Sequence, residues 1–112
     1  MTETLERPQD LDDEADLDAF VAANDLALVE FYTDGCGVCA SMEPVLSGLA
    51  REPDLAVGLV NPRDDPPLVE RFQVQSVPLL VLFRDGEELA RKAEGFVGVD
   101  ALRAWVEPYR AD

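Results

Sequence analysis

The order of local signals predicts an α/β domain: one mixed β-sheet with helices on both faces. Segments of helical period alternate with short apolar runs over the first part of the chain. Those runs are apolar at nearly every residue, as expected of strands covered on both sides. The last run enters an Asp-Gly turn and a second strand, adding a hairpin to the alternation. At 112 residues the chain can bury a single core, and it shows no internal repeat and no linker.

Residues 1–10 carry little apolar content, so a mobile acidic tail is expected there, with the domain spanning 11–112. From Leu11 to Asn24, Leu11, Ala15, Leu17, Phe20 and Val21 recur at helical spacing. Asp10, Asp12, Asp13 and Glu14 crowd the first turn, where negative charge suits the helix dipole. Leu26–Tyr32 reads as a buried strand. A helix follows from near Cys36 to about Arg51, with Pro44 inside it and expected to kink it. Leu55–Val60 is a second strand, and Asp64–Phe72 a short helix whose Pro66 and Pro67 fit only the first turn. Val77–Phe83 is a third strand with Pro78 at its start, where a missing N–H is tolerated. Arg84-Asp85-Gly86-Glu87 is the hairpin turn, and Glu88–Glu94 the weaker returning strand. Gly95 and Gly98 mark a bend before a last helix holding Leu102, Trp105 and Val106, for which Asp100 is the expected cap. Phe20, Phe31, Phe83, Trp105 and Tyr109 are expected in the core.

Charge is the most unusual global property. Twenty-four acids face nine bases, a formal net charge of −15, and Lys92 is the only lysine. Binding to nucleic acid by phosphate neutralisation is excluded on that balance. The acids run from Glu3 to Asp112 rather than gathering in one tail. Such spread acidity keeps a surface hydrated but repels itself unless salt screens it, which reads as adaptation to a salt-rich cytoplasm. An acidic protein of ordinary habitat is the plainer alternative. With no histidine, serine–histidine and cysteine–histidine hydrolysis within this chain is excluded. The longest apolar run, Leu79–Phe83, is too short to span a bilayer. The N-terminal residues lack a basic region followed by an apolar one, so no secretory signal is expected and the cytoplasm is the expected location.

The two cysteines, Cys36 and Cys39, sit where strand gives way to helix. Two thiols at this spacing can close a small disulfide ring, and free amide N–H groups at a helix start favour a thiolate on Cys36. Redox exchange is one reading; a structural disulfide or inert thiols is the other. Zinc is disfavoured, since two thiolates supply half a tetrahedral site and no histidine completes it. Glu30 lies in an apolar strand, where an unpaired carboxyl is costly and tends to hold its proton. It either accepts a proton during exchange or points to solvent.

Taken together, these residues resemble the thioredoxin family over about residues 11–110. The resemblance is carried by Glu30-Phe31-Tyr32 ending an apolar strand, Cys36-Gly37-Val38-Cys39, Pro44 after the second cysteine, Ser76-Val77-Pro78 before an apolar strand, and Arg84-Asp85-Gly86. It implies the thioredoxin fold and a thiol–disulfide oxidoreductase that reduces or exchanges disulfides in protein substrates. Cys36 is then the nucleophile, Cys39 the resolving thiol and Glu30 a proton acceptor. Gly35, Gly37, Val38, Val77, Pro78 and Gly95 are then substrate contacts, and Pro78 follows a cis peptide bond. The same resemblance implies no cofactor and no metal, a disulfide reductase as electron donor, and a monomer that binds neither nucleic acid nor membrane. A redox sensor or a scaffold without turnover are the alternatives.

Four positions depart from the family pattern. Gly35 stands where tryptophan is usual, Val38 where proline is usual, Glu30 where the buried acid is aspartate, and Leu59 where a lysine neighbours that acid. Val38 restores an N–H near the Cys36 sulfur, which would stabilise the thiolate and make the pair more oxidising than with proline by a few tens of millivolts.

Overall fold

The computed structural model describes residues 7–110. Five strands, β1 (Gln9–Leu11), β2 (Leu26–Phe31), β3 (Ala56–Val60), β4 (Leu79–Arg84) and β5 (Glu87–Lys92), form one sheet in the order β1-β3-β2-β4-β5. The β1–β3 and β3–β2 pairs are parallel, whereas β2–β4 and β4–β5 are antiparallel, so the sheet is mixed as expected. Four helices complete the domain: α1 (Glu14–Ala23), α2 (Gly37–Ala50), α3 (Pro67–Phe72) and α4 (Val99–Val106).

Strand alternation sorts the core into two halves. Ala27, Val29 and Phe31 of β2 pack with Leu17, Phe20 and Val21 of α1 and with Leu68 and Phe72 of α3. Leu26 and Leu28 point the other way, onto Met42, Val45, Leu46 and Leu49 of α2 and Leu102 and Val106 of α4. Helices therefore cover both faces, and each half-core is apolar burial of the kind that drives folding. Gly58 on β3 permits close approach: a methyl there would lie 2.9 Å from both Leu11 Cδ1 and Phe20 Cε2.

Several expectations change in detail. Residues 1–6 of the expected tail lie outside the described residues, but Gln9 and Asp10 are strand, in register with Gly58 and Leu59. The first helix starts at Glu14 rather than Leu11, because Asp13 is its cap and accepts the Asp16 N–H at 2.8 Å. The helix expected from Asp64 divides into a 3-10 turn, Pro62–Asp64, and α3, with Pro67 in its first turn. Asp100 does not cap α4; that position is Gly98, which makes no side-chain cap, and Asp100 lies within the first turn. Trp105 and Tyr109 are half-buried against the α2 half-core rather than inside it. The hairpin turn is as read: Asp85 and Gly86 both have positive φ, 52° and 86°, the pairing that a tight two-residue hairpin requires.

Candidate active site

β2 ends at Phe31 and α2 begins at Gly37, so the intervening residues place Cys36 at the N-cap of α2. The two cysteines are joined as a disulfide, with Cα atoms 5.2 Å apart. Cys36 Sγ accepts the backbone N–H of Cys39 at 3.1 Å. The sulfur thus takes the place of the oxygen that usually caps a helix and sits at the positive end of its dipole. Cys36 is half-buried, whereas Cys39, one turn into the helix, is 4% exposed. That hydrogen bond corrects the expectation for Val38. Its N–H lies in the first turn, but the donor on Cys36 Sγ is the Cys39 N–H, which a proline at position 38 would keep. The hydrogen-bond argument for a more oxidising pair therefore fails.

Beneath the disulfide lies a cavity of about 240 Å³ that joins Cys36 and Cys39 to Glu30, Tyr32 and Glu43. Glu30 is 1% exposed and lies on the α2 side of the sheet. Its Oε2 has no hydrogen-bond partner. Leu59, where the resemblance leads one to expect lysine, is its register partner on β3. An apolar neighbour in place of an ammonium leaves the carboxyl without a counter-charge, and the consequence is large. Burial, then the Glu43 carboxylate, push the Glu30 pKa from 4.5 to about 8. Tyr32 is also pushed up, by burial first and then by Asp10, Asp34, Asp64 and Glu30.

The remaining predicted site residues surround this centre. Gly35 has φ 81°, and a side chain built on it would meet no atom within 4 Å, so tryptophan's absence leaves open space beside Cys36. Gly37 and Val38 are exposed on the first turn of α2, Val38 at 42%. The Val77–Pro78 peptide is cis and leads into β4. Since Leu79 pairs with Phe31, Pro78 reaches the same end of the sheet as Cys36. Gly95 follows β5 at that end, ahead of the exposed Phe96 and of Val97, whose N–H lies 3.4 Å from Met42 Sδ on α2. Val77, Pro78 and Gly95 do not line the Glu30 cavity.

Asp10, read from the sequence as part of a helix start, and Asp34 and Glu43 were not expected at the site. Glu43 carried a usable signal: Cys36, Cys39, Ala40 and Glu43 share one helix face and all line the cavity. Among the described residues, no group of three or more Cys, Asp or Glu side chains is placed to hold a metal ion.

A dithiol that closes at a helix start, one sulfur reachable and the other enclosed over a buried acid, is built to trade one disulfide for another. This is the site of a thiol–disulfide oxidoreductase. The thioredoxin family model matches residues 10–108, and the chain belongs to that family. A thioredoxin of Chlamydia pneumoniae is 40% identical over 75 residues, 66% of this chain and 72% of that one. A thioredoxin of Mycobacterium tuberculosis is 37% identical over 73 residues, 63% of each. The solved structure of a mutant thioredoxin from Halobacterium salinarum superposes with TM-score 0.91 at 34% identity, covering 100% of this chain and 98% of that one. Family membership brings disulfide substrates and a reductase partner in general terms.

Proposed function

We propose that Cys36 is the attacking thiol, Cys39 the resolving thiol and Glu30 the proton acceptor in the reduction of protein disulfides. The observation that carries this reading is the asymmetry of the pair: Cys36 is half-buried at the helix N-cap with an N–H on its sulfur, while Cys39 is enclosed. The Cys36 thiolate attacks one sulfur of a substrate disulfide, forming a mixed disulfide and releasing the first substrate thiolate. Cys39 then loses its proton to the Glu30 carboxylate and attacks Cys36 Sγ. The mixed bond breaks, the second substrate thiolate leaves, and the protein holds the Cys36–Cys39 disulfide. Two electrons from a disulfide reductase restore the dithiol.

Substrate chain is held in extended form at the Val77 backbone beside Pro78, between Gly95 and the first turn of α2, where Gly35, Gly37 and Val38 leave room for it. The exposure of Val38, at 42%, and Phe96, at 56%, supports an apolar contact with that chain. The protein works in the cytoplasm, a reading supported by the cysteine chemistry; among the described residues no helix is long and apolar enough to cross a membrane.

Trapping tests the assignment. Cys39→Ser is expected to accumulate mixed disulfides on Cys36 when incubated with oxidised protein substrate, and Cys36→Ser to accumulate almost none. Efficient trapping by Cys36→Ser would reverse the roles.

A further inference from the structure

The cavity beside the disulfide is one-sided in charge. Asp10, Glu30, Asp34 and Glu43 line it together with both cysteines, and no basic side chain does. Arg7 lines a separate cavity, which shares Glu43 and Leu59 with this one. Carboxylates at a surface are ordinarily just solvated, but Glu30 is not at the surface. It is 1% exposed, it lines the cavity, and its Oε2 has no hydrogen-bond partner. A buried polar atom in that condition is costly, and a donor entering from outside removes the cost.

Topology says where such a donor comes from. Asp10 and Leu59 belong to β1 and β3, on one side of β2, whereas Pro78 leads into β4 on the other. A substrate chain lying along Val77 therefore leaves the cavity free for a group on the far side of the attacked sulfur.

We propose that this cavity is a subsite for a cationic group, the ammonium or guanidinium of a basic side chain near the attacked sulfur, so that basic disulfides are preferred to acidic ones. The proposal rests on the exchange chemistry above and adds a substrate class to it. The cation donates an N–H to Glu30 Oε2, and the exposed Asp34 and Glu43 draw it in. An anionic disulfide meets the same carboxylates as repulsion, which is the larger part of the selectivity. No bond is made or broken in the subsite itself.

Three small disulfides test this: cystamine, with two ammonium groups; bis(2-hydroxyethyl) disulfide, uncharged; and 3,3′-dithiodipropionate, with two carboxylates. The rate at which each oxidises the reduced protein at low ionic strength is divided by its rate with dithiothreitol, which removes intrinsic reactivity. Cystamine is expected to exceed dithiodipropionate by about tenfold or more, with the neutral compound between. The Asp34→Asn/Glu43→Gln double variant is expected to cut that ratio by at least about threefold. The Asp25→Asn/Glu87→Gln double variant removes the same charge from the opposite end of the sheet, where β2 starts and the hairpin turns, and is expected to leave the ratio unchanged. Equal normalised rates for the three compounds, or an equal fall in both double variants, overturns the subsite. No reaction with the neutral disulfide would remove the exchange reading itself, and the subsite with it.

Discussion

Glu30 and Glu52 lie toward opposite ends of α2, and the protein treats them in opposite ways. Glu52 follows the C-terminal end of α2, where Arg103 Nε reaches its Oε2 at 2.8 Å and Arg110 bonds its other oxygen. Burial alone would push its pKa up, but hydrogen bonds from Arg103 and Arg110 outweigh that and hold it below its ordinary value. Glu30, below the N-terminal end of α2, has Leu59 beside it and Glu43 above it, and its pKa rises to about 8. The chain has only nine bases. At the distal end two of them close the fold around Glu52; none lines the cavity under the cysteines. The contrast separates a carboxyl paired to hold structure from one left without a counter-charge, the condition that the proposed proton acceptor needs.

The largest expected effect of that contrast is on stability against pH. Between pH 4.5 and about 8 the folded protein keeps a Glu30 proton that the unfolded chain has lost. Stability therefore falls as pH rises through that window, and the loss is complete above it. At about 1.4 kcal/mol per pH unit the whole loss is on the order of 5 kcal/mol. Urea denaturation of Glu30→Gln is expected to lack this slope, so that the variant gains on the parent as the pH goes from 5 to 9. Parallel curves would show that Glu30 ionises in the folded state as freely as in the unfolded chain.

Salt separates the two regions next. It screens the Arg103 and Arg110 pairs, but it also relieves repulsion across a chain of net charge −15. Long-range repulsion wins, because it acts over the whole chain, whereas these few partly exposed pairs contribute little each. The melting temperature is expected to climb by more than about 5 °C from dilute buffer to molar KCl, roughly 1 kcal/mol for a domain of this size. A flat or falling curve would mean that the ion pairs dominate, and would remove the salt-adaptation reading.

The smallest effect belongs to Glu52. Its lowered pKa contributes stability that is present above the ordinary carboxyl value of 4.5 and lost as pH falls through the folded value. Glu52→Gln is expected to destabilise by about 1 kcal/mol at pH 7 and to lose that deficit at an acid pH below the folded value. The sign is opposite to that of Glu30, and a variant equal to the parent at both pH values would erase the comparison.

Much of this was legible in the chain because strong local signals carried it. The apolar runs of β2, β3 and β4 specified strands covered on both faces, and Asp85-Gly86 specified the hairpin. Cys36 and Cys39 announced the site by lying at a strand-to-helix junction. What escaped was tertiary in origin. β1 is three residues long and mostly exposed, and only pairing with β3 makes it a strand. Asp10 reaches the cavity through that pairing, so no local pattern could bring it there. Gly98 caps α4 through backbone geometry alone, which a search for an acidic cap passes over. The Val38 reading failed on a single residue of helix phase, since the N–H aimed at the sulfur is the one at Cys39.

Resolution kinetics test most directly whether Glu30 is kept unpaired in order to take a proton. A mixed disulfide on Cys36 is formed with a chromogenic thiol, and its release by Cys39 is followed in single turnover from pH 6 to 9.5, a range spanning the Glu30 value of about 8. An acceptor works only when ionised, so the parent rate is expected to rise with an inflection near that value. In Glu30→Gln that inflection is expected to vanish and the rate at pH 8 and above to fall by about tenfold or more. Superimposable profiles for the two proteins would contradict the account and leave Glu30 as a buried carboxyl with no part in the exchange.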